Sequence, residues 1–221
     1  MTTRHLLFAL LPLFAGCQMF SVYDSTPPTP PQRLQGQLVQ AEGRLLLTPC
    51  NEQRTLEVIN DGSSEIVREA AGLFADGHER LFVDLFGDVA GSKNPGLDGE
   101  LRPTTVYRLQ GEGPGCNEPA FERLLLRANG HEPDWSLSVG SKGLVLMRPG
   151  QPPLAVPYLE EQLPEGRLNL SSEANGQKLE LWLAPQRCSD SMSGSVQHLS
   201  AELRIDGEVQ RGCASYGGAR R

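Results

Sequence analysis

Short runs of strand-forming residues, separated by Gly, Pro, Asn and Asp, dominate the chain after residue 33. Runs of this length and spacing are typical of small antiparallel β domains and leave little room for long helices. In the first half they predict a turn at Glu42-Gly43 and strands at residues 34–41, 44–48, 54–59, 80–87 and 104–110. Residues 63–74 change to helical spacing, and residues 91–102 form a long turn-rich loop.

The first half of the chain thus predicts three strands, one helix and two further strands, which is the element order of an OB-fold, a small Greek-key barrel. The second half predicts an antiparallel meander or small barrel, with a turn at Asp206-Gly207 and strands at 123–128, 135–139, 143–147, 153–158, 167–170, 178–183, 199–205 and 208–214. We therefore expect a mostly β protein with two small barrels in series, an OB-like domain at 34–118 and a C-terminal β domain at 119–221.

The first seventeen residues have the pattern of a targeting signal. A short basic start at Arg4 and His5 precedes an apolar run at 6–14 that is too short to span a bilayer. Phe14-Ala15-Gly16-Cys17 resembles the lipobox of bacterial lipoprotein precursors. The resemblance implies that residues 1–16 are a signal peptide and that Cys17 is lipidated. An ordinary secretory signal, with Cys17 as a bystander, is the alternative.

Residues 17–33 join this signal to the first predicted strand. Four prolines within five positions favour an extended polyproline II segment, so we expect a semi-rigid tether, with a disordered leader as the alternative. Gln18 and Met19 follow the cysteine, so the mature start lacks the aspartate of inner-membrane retention. The expected location is the outer membrane, lipid-anchored and facing the periplasm.

Four cysteines remain once Cys17 is assigned to lipid: Cys50, Cys116, Cys188 and Cys213. An oxidising compartment favours their pairing as disulfides. Of the three possible pairings we favour Cys50–Cys116 and Cys188–Cys213, because each closes a loop inside one candidate domain. Metal ligation is the competing use, but the chain contains no C-x-x-C motif.

The formal net charge is −7 and becomes −8 once Arg4 is removed with the signal. Such a chain is poorly suited to holding nucleic acid or anionic lipid headgroups by charge. Acyl chains on Cys17 are then the expected attachment to the membrane. We expect no nucleic acid, no cofactor and no bound metal. A Gly-rich loop with Asp88, Asp98 and Glu100 lacks the ligand spacing of a calcium-binding loop.

Three stretches of the first half resemble the OB-type domain of NlpE-like envelope lipoproteins. They are Leu34-Gln35-Gly36 through Thr48-Pro49-Cys50, then Leu81-Phe82-Val83-Asp84-Leu85-Phe86-Gly87, then Cys116. The resemblance covers about 80 residues and implies an envelope role linked to copper tolerance and stress signalling. The other domain of that family, which carries a C-x-x-C motif, has no counterpart in this chain.

The second half resembles uncharacterised lipoprotein β domains with three ordered phrases. Here the phrases read Asn129-Gly130-His131-Glu132-Pro133-Asp134-Trp135, then Cys188-Ser189-Asp190-Ser191-Met192-Ser193, then Arg211-Gly212-Cys213. This resemblance implies an envelope β domain without an established activity. Trp135 and Trp182 alternate with polar positions in their strands and are expected in the core rather than in a ligand platform.

The polar loop beside Cys188 is the candidate binding loop, with Asp190, Met192, Ser193, Gly194 and Ser195 as its candidate residues. Ser193-Gly194-Ser195 is similar to the loop that membrane-bound lysozyme inhibitors present to their target. A hydrolase would need Ser193 to meet His198 and Asp190, but the chain lacks a Gly-x-Ser-x-Gly motif. We therefore assign no catalytic residue.

The function expected from the sequence is a non-enzymatic, lipid-anchored protein that binds or senses an envelope protein or glycan. A lysozyme inhibitor is the first alternative, and a hydrolase that uses the Ser193 loop is the second.

Overall fold

The computed structural model describes residues 30–62, 64–174 and 176–220. The predicted signal at 1–16, the lipid acceptor Cys17 and most of the predicted tether lie outside these residues. No helix within the described ranges is long and apolar enough to cross a bilayer.

The first half forms a closed five-stranded barrel with one helix. Its elements are β1 (Gln32–Ala41), β2 (Arg44–Pro49), β3 (Leu56–Val58), α1 (Ile66–Ala75), β4 (Leu81–Ala90) and β5 (Gly99–Gln110). Neighbouring strands pair in the order β1-β2-β3-β5-β4, and β4 pairs back with β1. All these pairs are antiparallel except β3 with β5. This topology is that of an OB-fold, which confirms the predicted fold class of this half.

Local residue chemistry explains the barrel's first turn and its helix. Glu42 and Gly43 both have positive φ angles, 52° and 75°, as a two-residue hairpin turn requires. Helix α1 buries Ile66, Ala70 and Leu73, which recur at helical spacing on one face. That face belongs to the barrel core, so the helix is held mainly by tertiary packing.

Strand β5 begins at Gly99 rather than at the predicted residue 104, so the expected loop at 91–102 is shorter. Pro103 obscured the start of the strand, because proline cannot donate to a strand ladder. In the structure Pro103 lies opposite Gly87, next to a register shift. A Cβ on Gly87 would lie 2.4 Å from the carbonyl oxygen of Arg102, so this close approach requires glycine.

The second half contributes the strands β6 (Leu124–His131), β7 (Asp134–Gly140), β8 (Gly143–Met147), β9 (Leu154–Val156), β10 (Leu159–Gln162), β11 (Leu168–Ala174), β12 (Gln177–Ala184), β13 (Cys188–Ser189), β14 (Val196–Gln197), β15 (Leu199–Ile205) and β16 (Glu208–Tyr216). All of them except β13 and β14 form a nine-stranded antiparallel sheet in the order β10-β11-β12-β15-β16-β6-β7-β8-β9. Strands β10, β13 and β14 were not predicted, and the remaining strands match the predicted ones to within a few residues.

This second sheet curls into a barrel-like shape around one hydrophobic core. Its two edge strands, β9 and β10, are separated in the chain only by Pro157 and Tyr158, so the sheet must bend until its edges meet. The fully buried Leu126, Leu137 and Leu181 belong to the same core cluster. The predicted barrel-like second domain is therefore a curled sheet. Within the described residues, its edge strands β9 and β10 do not pair with each other by backbone hydrogen bonds.

The described residues contain two disulfides, and they join the pairs that the sequence analysis favours. Cys50 and Cys116 have Cα atoms 5.3 Å apart, and Cys188 and Cys213 have Cα atoms 5.4 Å apart. The first connects the end of β2 to the segment after β5. The second connects β13 to β16.

The short hairpin of β13 and β14 joins the two halves. It leaves the second half between β12 and β15, and Val196 pairs with Leu109 of the barrel strand β5. The two sheets follow one another in sequence, except that the hairpin of β13 and β14, a two-stranded ribbon from the second half, extends the first sheet.

Arg33 lies in the contact between the two sheets, which we call the Arg33 seam: Arg33, Asp84, Tyr107, His198 and residues 216–220. The predicted tether ended at Arg33, whereas β1 already begins at Gln32. The guanidinium donates twice to Asp84 (2.8 and 2.7 Å) and to the carbonyl oxygens of Tyr216, Gly217 and Arg220 (2.8–3.0 Å).

His198 lies in the same seam. Its ring packs edge-on against Tyr107 and Tyr216, with centroids 4.9 and 4.7 Å away, and Nδ1 lies 3.1 Å from the Tyr107 carbonyl oxygen. Burial, reinforced by the positive charges of Arg33 and Arg187, lowers the His198 pKa from 6.5 to about 4 despite the bond to Tyr107. The histidine is therefore neutral in the folded protein near pH 7.

Replacing Arg33 by methionine should destabilise the protein strongly. The Asp84 side chain, 1% exposed, would lose its ionic partner and keep the hydrogen bond from Gln35 Nε2 (3.1 Å), and the expected loss is about 3–5 kcal/mol. Denaturant unfolding measures it, with Arg44→Met, which removes an exposed ion pair to Glu42, as the control that should change stability by under about 0.5 kcal/mol. Adding Asp84→Leu to Arg33→Met should restore part of the loss. An Arg33→Met protein as stable as the control would contradict this role.

His198 should make stability fall on acidification. Between pH 6.5 and 4 the unfolded chain binds a proton that the folded histidine does not. Stability therefore decreases as pH drops through this window, by at most about 3 kcal/mol. Urea unfolding at about pH 7.5 and about pH 4.5 should show a smaller decrease for His198→Phe than for the wild type. Equal decreases in both proteins would refute this assignment.

Candidate functional site

The candidate binding loop connects β13 to β14, and we call residues 190–195 the Asp190 loop. Two backbone bonds close it, from Asp190 N to Ser195 O (2.8 Å) and from Gly194 N to Asp190 O (2.9 Å). Gly194 has a φ of 65°, a left-handed conformation that glycine adopts without strain. The structure thus places all five predicted residues in one short hairpin loop.

The Asp190 carboxylate organises the loop from inside. It is buried, and Oδ1 accepts hydrogen bonds from Met192 N (3.0 Å), Ser193 N (2.9 Å) and Ser193 Oγ (3.1 Å). Aspartate side chains commonly shape turns by accepting from amides two and three residues ahead. Asp190 therefore holds the backbone of the loop tip in one conformation.

The other oxygen of Asp190 anchors the loop to strand β6. Oδ2 accepts from Asn129 Nδ2 (3.3 Å) and lies 2.7 Å from His131 Nε2, while His131 Nδ1 lies 3.0 Å from Asp134. The sequence analysis names Asn129 and His131 only within a resemblance phrase and gives neither a role in the candidate loop. Asn129 is 61 positions from Asp190 in the chain, so local spacing carries no signal for this contact.

These contacts shift the pKa values of both partners in opposite directions. Burial lowers the His131 pKa, but its hydrogen bonds and attraction to Asp134 and Asp190 outweigh burial and raise the pKa above its usual value. Burial raises the Asp190 pKa, but the amides of Ser193 and Met192 and the nearby His131 outweigh it and lower the pKa. Both shifts favour an ion pair at the base of the loop.

The tip of the loop presents methionine to solvent. Met192 is 74% exposed, whereas Ser195 is buried. A Cβ on Gly194 would lie 3.2 Å from Leu73 Cδ2, so this part of the loop packs against helix α1. The accessible part of the Asp190 loop is therefore Ser191 and Met192.

Neither alternative chemistry of the loop finds support in these contacts. Ser193 Oγ bonds to Asp190 and to Ser195 Oγ (3.0 Å), while His198 faces Tyr107 in the Arg33 seam. The serine–histidine pair of a hydrolase is thus not formed. The two serines that a lysozyme inhibitor would present are instead bonded to each other.

A cleft of about 1090 Å³ lies beside the Asp190 loop, over the outer face of β12, β15 and β16. Its floor includes Trp182, Ser200 and Glu202. The segments Leu163–Glu165 and Cys188–Ser191 contribute to its lining. Trp182 is half-buried on this outer face, so the expectation that both tryptophans lie in the core holds only for Trp135.

Within the described residues, no group of three or more histidine, cysteine or acidic side chains could hold a metal ion. Two of the acidic residues that the sequence analysis considered for calcium, Asp98 before β5 and Glu100 within it, have other contacts. Asp98 accepts from Thr55 N (2.7 Å), and Glu100 pairs with Arg102 (3.0 Å).

Comparisons with known proteins give this chain no relative. No protein-family model matches it, and neither a curated protein nor a solved structure does so.

Removing the Asp190 carboxylate should loosen the loop tip. In Asp190→Ala the amides of Met192 and Ser193 lose their acceptor, so their hydrogen exchange should accelerate by about tenfold or more. Amide exchange read by mass spectrometry or NMR tests this. Asp134→Asn, which changes the exposed partner of His131, is the matched control and should leave both amides protected. Unchanged exchange in Asp190→Ala would show that the loop is held by other contacts.

Proposed function

We propose that this protein is a non-enzymatic lipoprotein, anchored in the outer membrane by acyl chains on Cys17. Facing the periplasm, it binds a protein partner of the envelope through the Asp190 loop. The observation that carries this proposal is a braced loop that exposes an apolar side chain at its tip.

A rigid loop lowers the entropic cost of binding, because its side chains are already ordered before the partner arrives. Methionine is enriched at protein interfaces and adapts its shape to a partner surface. The buried Asp190 and the Cys188–Cys213 disulfide fix the loop at its base, and Met192 is 74% exposed at its tip. An exposed apolar tip on a braced base suits recognition better than catalysis.

The envelope location rests on the lipobox-like Phe14-Ala15-Gly16-Cys17. The two disulfides support it, because disulfides persist in oxidising compartments. The resemblance of the first half to NlpE-like lipoproteins adds a link to envelope stress or copper tolerance, which stays a prediction from that resemblance.

A photo-crosslinking amino acid at position 192, introduced into the full chain in cells, should give one discrete crosslinked partner. The same amino acid at Met147, which is 53% exposed on β8, is the matched control and should not give that product. Adding Asp190→Ala should weaken the crosslink, because the loop tip loses its fixed conformation.

Cys17→Ser tests the anchor in the same cells. The variant should leave the membrane fraction, and mass spectrometry of the wild-type chain should show acyl chains on Cys17.

Identical crosslinked products at positions 192 and 147, or no product at position 192, would overturn the binding role. A wild-type chain without acyl groups would overturn the anchor. Inhibition of lysozyme by the purified protein would favour the inhibitor alternative instead.

A further inference from the structure

The cleft beside the Asp190 loop lies on a sheet face rather than at a sheet edge. Strand β12 is paired with β11 and β15 on its two sides, and β15 is paired with β12 and β16. Their backbone N–H groups are therefore used within the sheet. A peptide could not add to these strands by backbone pairing, which needs a free edge.

The floor of the cleft combines small side chains with one aromatic ring. Across the three strands Trp182 lies opposite Glu202, which lies opposite Arg211, and in the neighbouring row Ala184 lies opposite Ser200. The Arg204 guanidinium lies over the Trp182 ring, with its central carbon 5.3 Å from the ring centre, and forms a cation–π contact at the floor of the cleft. The small side chains of Ala184 and Ser200 leave room for a ring-shaped ligand on one side of the tryptophan.

The charges of the cleft largely neutralise one another. Arg204 pairs with Glu202 (2.6 Å), His131 with Asp190 (2.7 Å) and Arg167 with Glu165. Two further lining residues, Glu132 and the 85%-exposed Arg211, have opposite signs. A cleft with four acidic side chains, three arginines and a histidine has little net charge to attract an ion, but it offers many hydrogen-bond donors and acceptors.

We infer that this cleft binds a neutral oligosaccharide, with a sugar ring on Trp182 and hydroxyl groups bonded to the paired charged side chains. A sugar offers an apolar C–H face to an aromatic ring and hydroxyls that both donate and accept, which matches this lining. The cleft volume of about 1090 Å³ lies at the upper end of the roughly 300–1,000 Å³ range of ligand pockets, so the cleft has room for more than one sugar unit. The inference rests on the proposed envelope role only for the source of the glycan.

Calorimetry on the purified full chain tests this with two neutral probes, a hexamer of N-acetylglucosamine and a hexamer of glucose. At least one should bind with a Kd between about 10 μM and 1 mM. The affinity should stay within about twofold between about 0.05 M and 0.5 M salt, because no ion pair with the ligand is screened. A hexamer of galacturonate, which is anionic, should bind at least about tenfold more weakly.

Two variants localise the binding. Trp182→Leu removes the flat surface and should weaken binding about tenfold. Arg211→Ala should weaken binding severalfold, whereas Arg68→Ala, a similarly exposed arginine on helix α1 and outside the cleft, should not. Circular dichroism shows whether Trp182→Leu is folded, and Arg211→Ala tests the same cleft without altering buried packing.

Failure of both neutral hexamers to bind would overturn the inference, as would salt-sensitive binding of the anionic hexamer alone. Equal binding by the Arg211→Ala and Arg68→Ala proteins would place the ligand elsewhere and overturn it as well. The crosslink at position 192 is measured in cells and does not depend on a glycan. Its success or failure is therefore distinguishable from the outcome for the cleft.

Discussion

The guanidinium of Arg33 is the contact on which the arrangement of the two sheets depends. An arginine has five N–H donors in a fixed fork, and here two of them bond to Asp84 and three to the carbonyl oxygens of residues 216, 217 and 220. The Arg33 guanidinium also lies over the Tyr107 ring, with its central carbon 4.2 Å from the ring centre. A single side chain of the first strand therefore satisfies both a buried carboxylate of the barrel and the end of the chain.

A second buried charge cluster and the ribbon of β13 and β14 add to this seam. The Glu118 carboxylate lies between Arg108 of β5 (2.6 Å) and Arg127 of β6 (2.8 Å), so it joins the barrel to the curled sheet. Arg187 precedes the ribbon and pairs with Glu69 of helix α1. Because the ribbon is held at both ends, the Asp190 loop between its strands is a rigid projection rather than a free connection.

Rigidity at the base and exposure at the tip explain why one loop and one cleft stand out as sites. Contacts of Asp190 with Asn129 and His131 of strand β6 hold the loop in one conformation. The same loop forms one wall of the cleft, and strands β12, β15 and β16 form its floor. The two sites share a boundary but use different chemistry, an apolar tip in one case and paired charges around an aromatic ring in the other.

Much of the fold could be predicted from the sequence, because strands and turns leave local patterns. The hairpin at Glu42-Gly43, the helix with its face of Ile66, Ala70 and Leu73, and most strands are of this kind. Strand β10 could not be predicted because all four of its residues are exposed and show no alternation of apolar and polar side chains. Strands β13 and β14 have two residues each, which is too short for any such pattern. The start of β5 was missed for a different reason, because Pro103 argues against a strand in the sequence. The structure accommodates this proline opposite Gly87 of β4, next to a shift in strand register that the sequence does not show.

The position of the polar loop and the two disulfide pairings could also be predicted from the sequence. Turn-forming residues are a local property, and the number of cysteines can be counted. The sequence by itself determined a β-rich chain with an OB-like element order, a polar loop beside Cys188 and four cysteines after residue 33 that can form two pairs. Only the tertiary structure decided that Arg33 belongs to the seam rather than to the tether, that Trp182 lies over a cleft, and that Met192 rather than Ser195 is exposed. Each of these depends on partners far away in the chain, and such pairings are set by packing and burial rather than by local sequence.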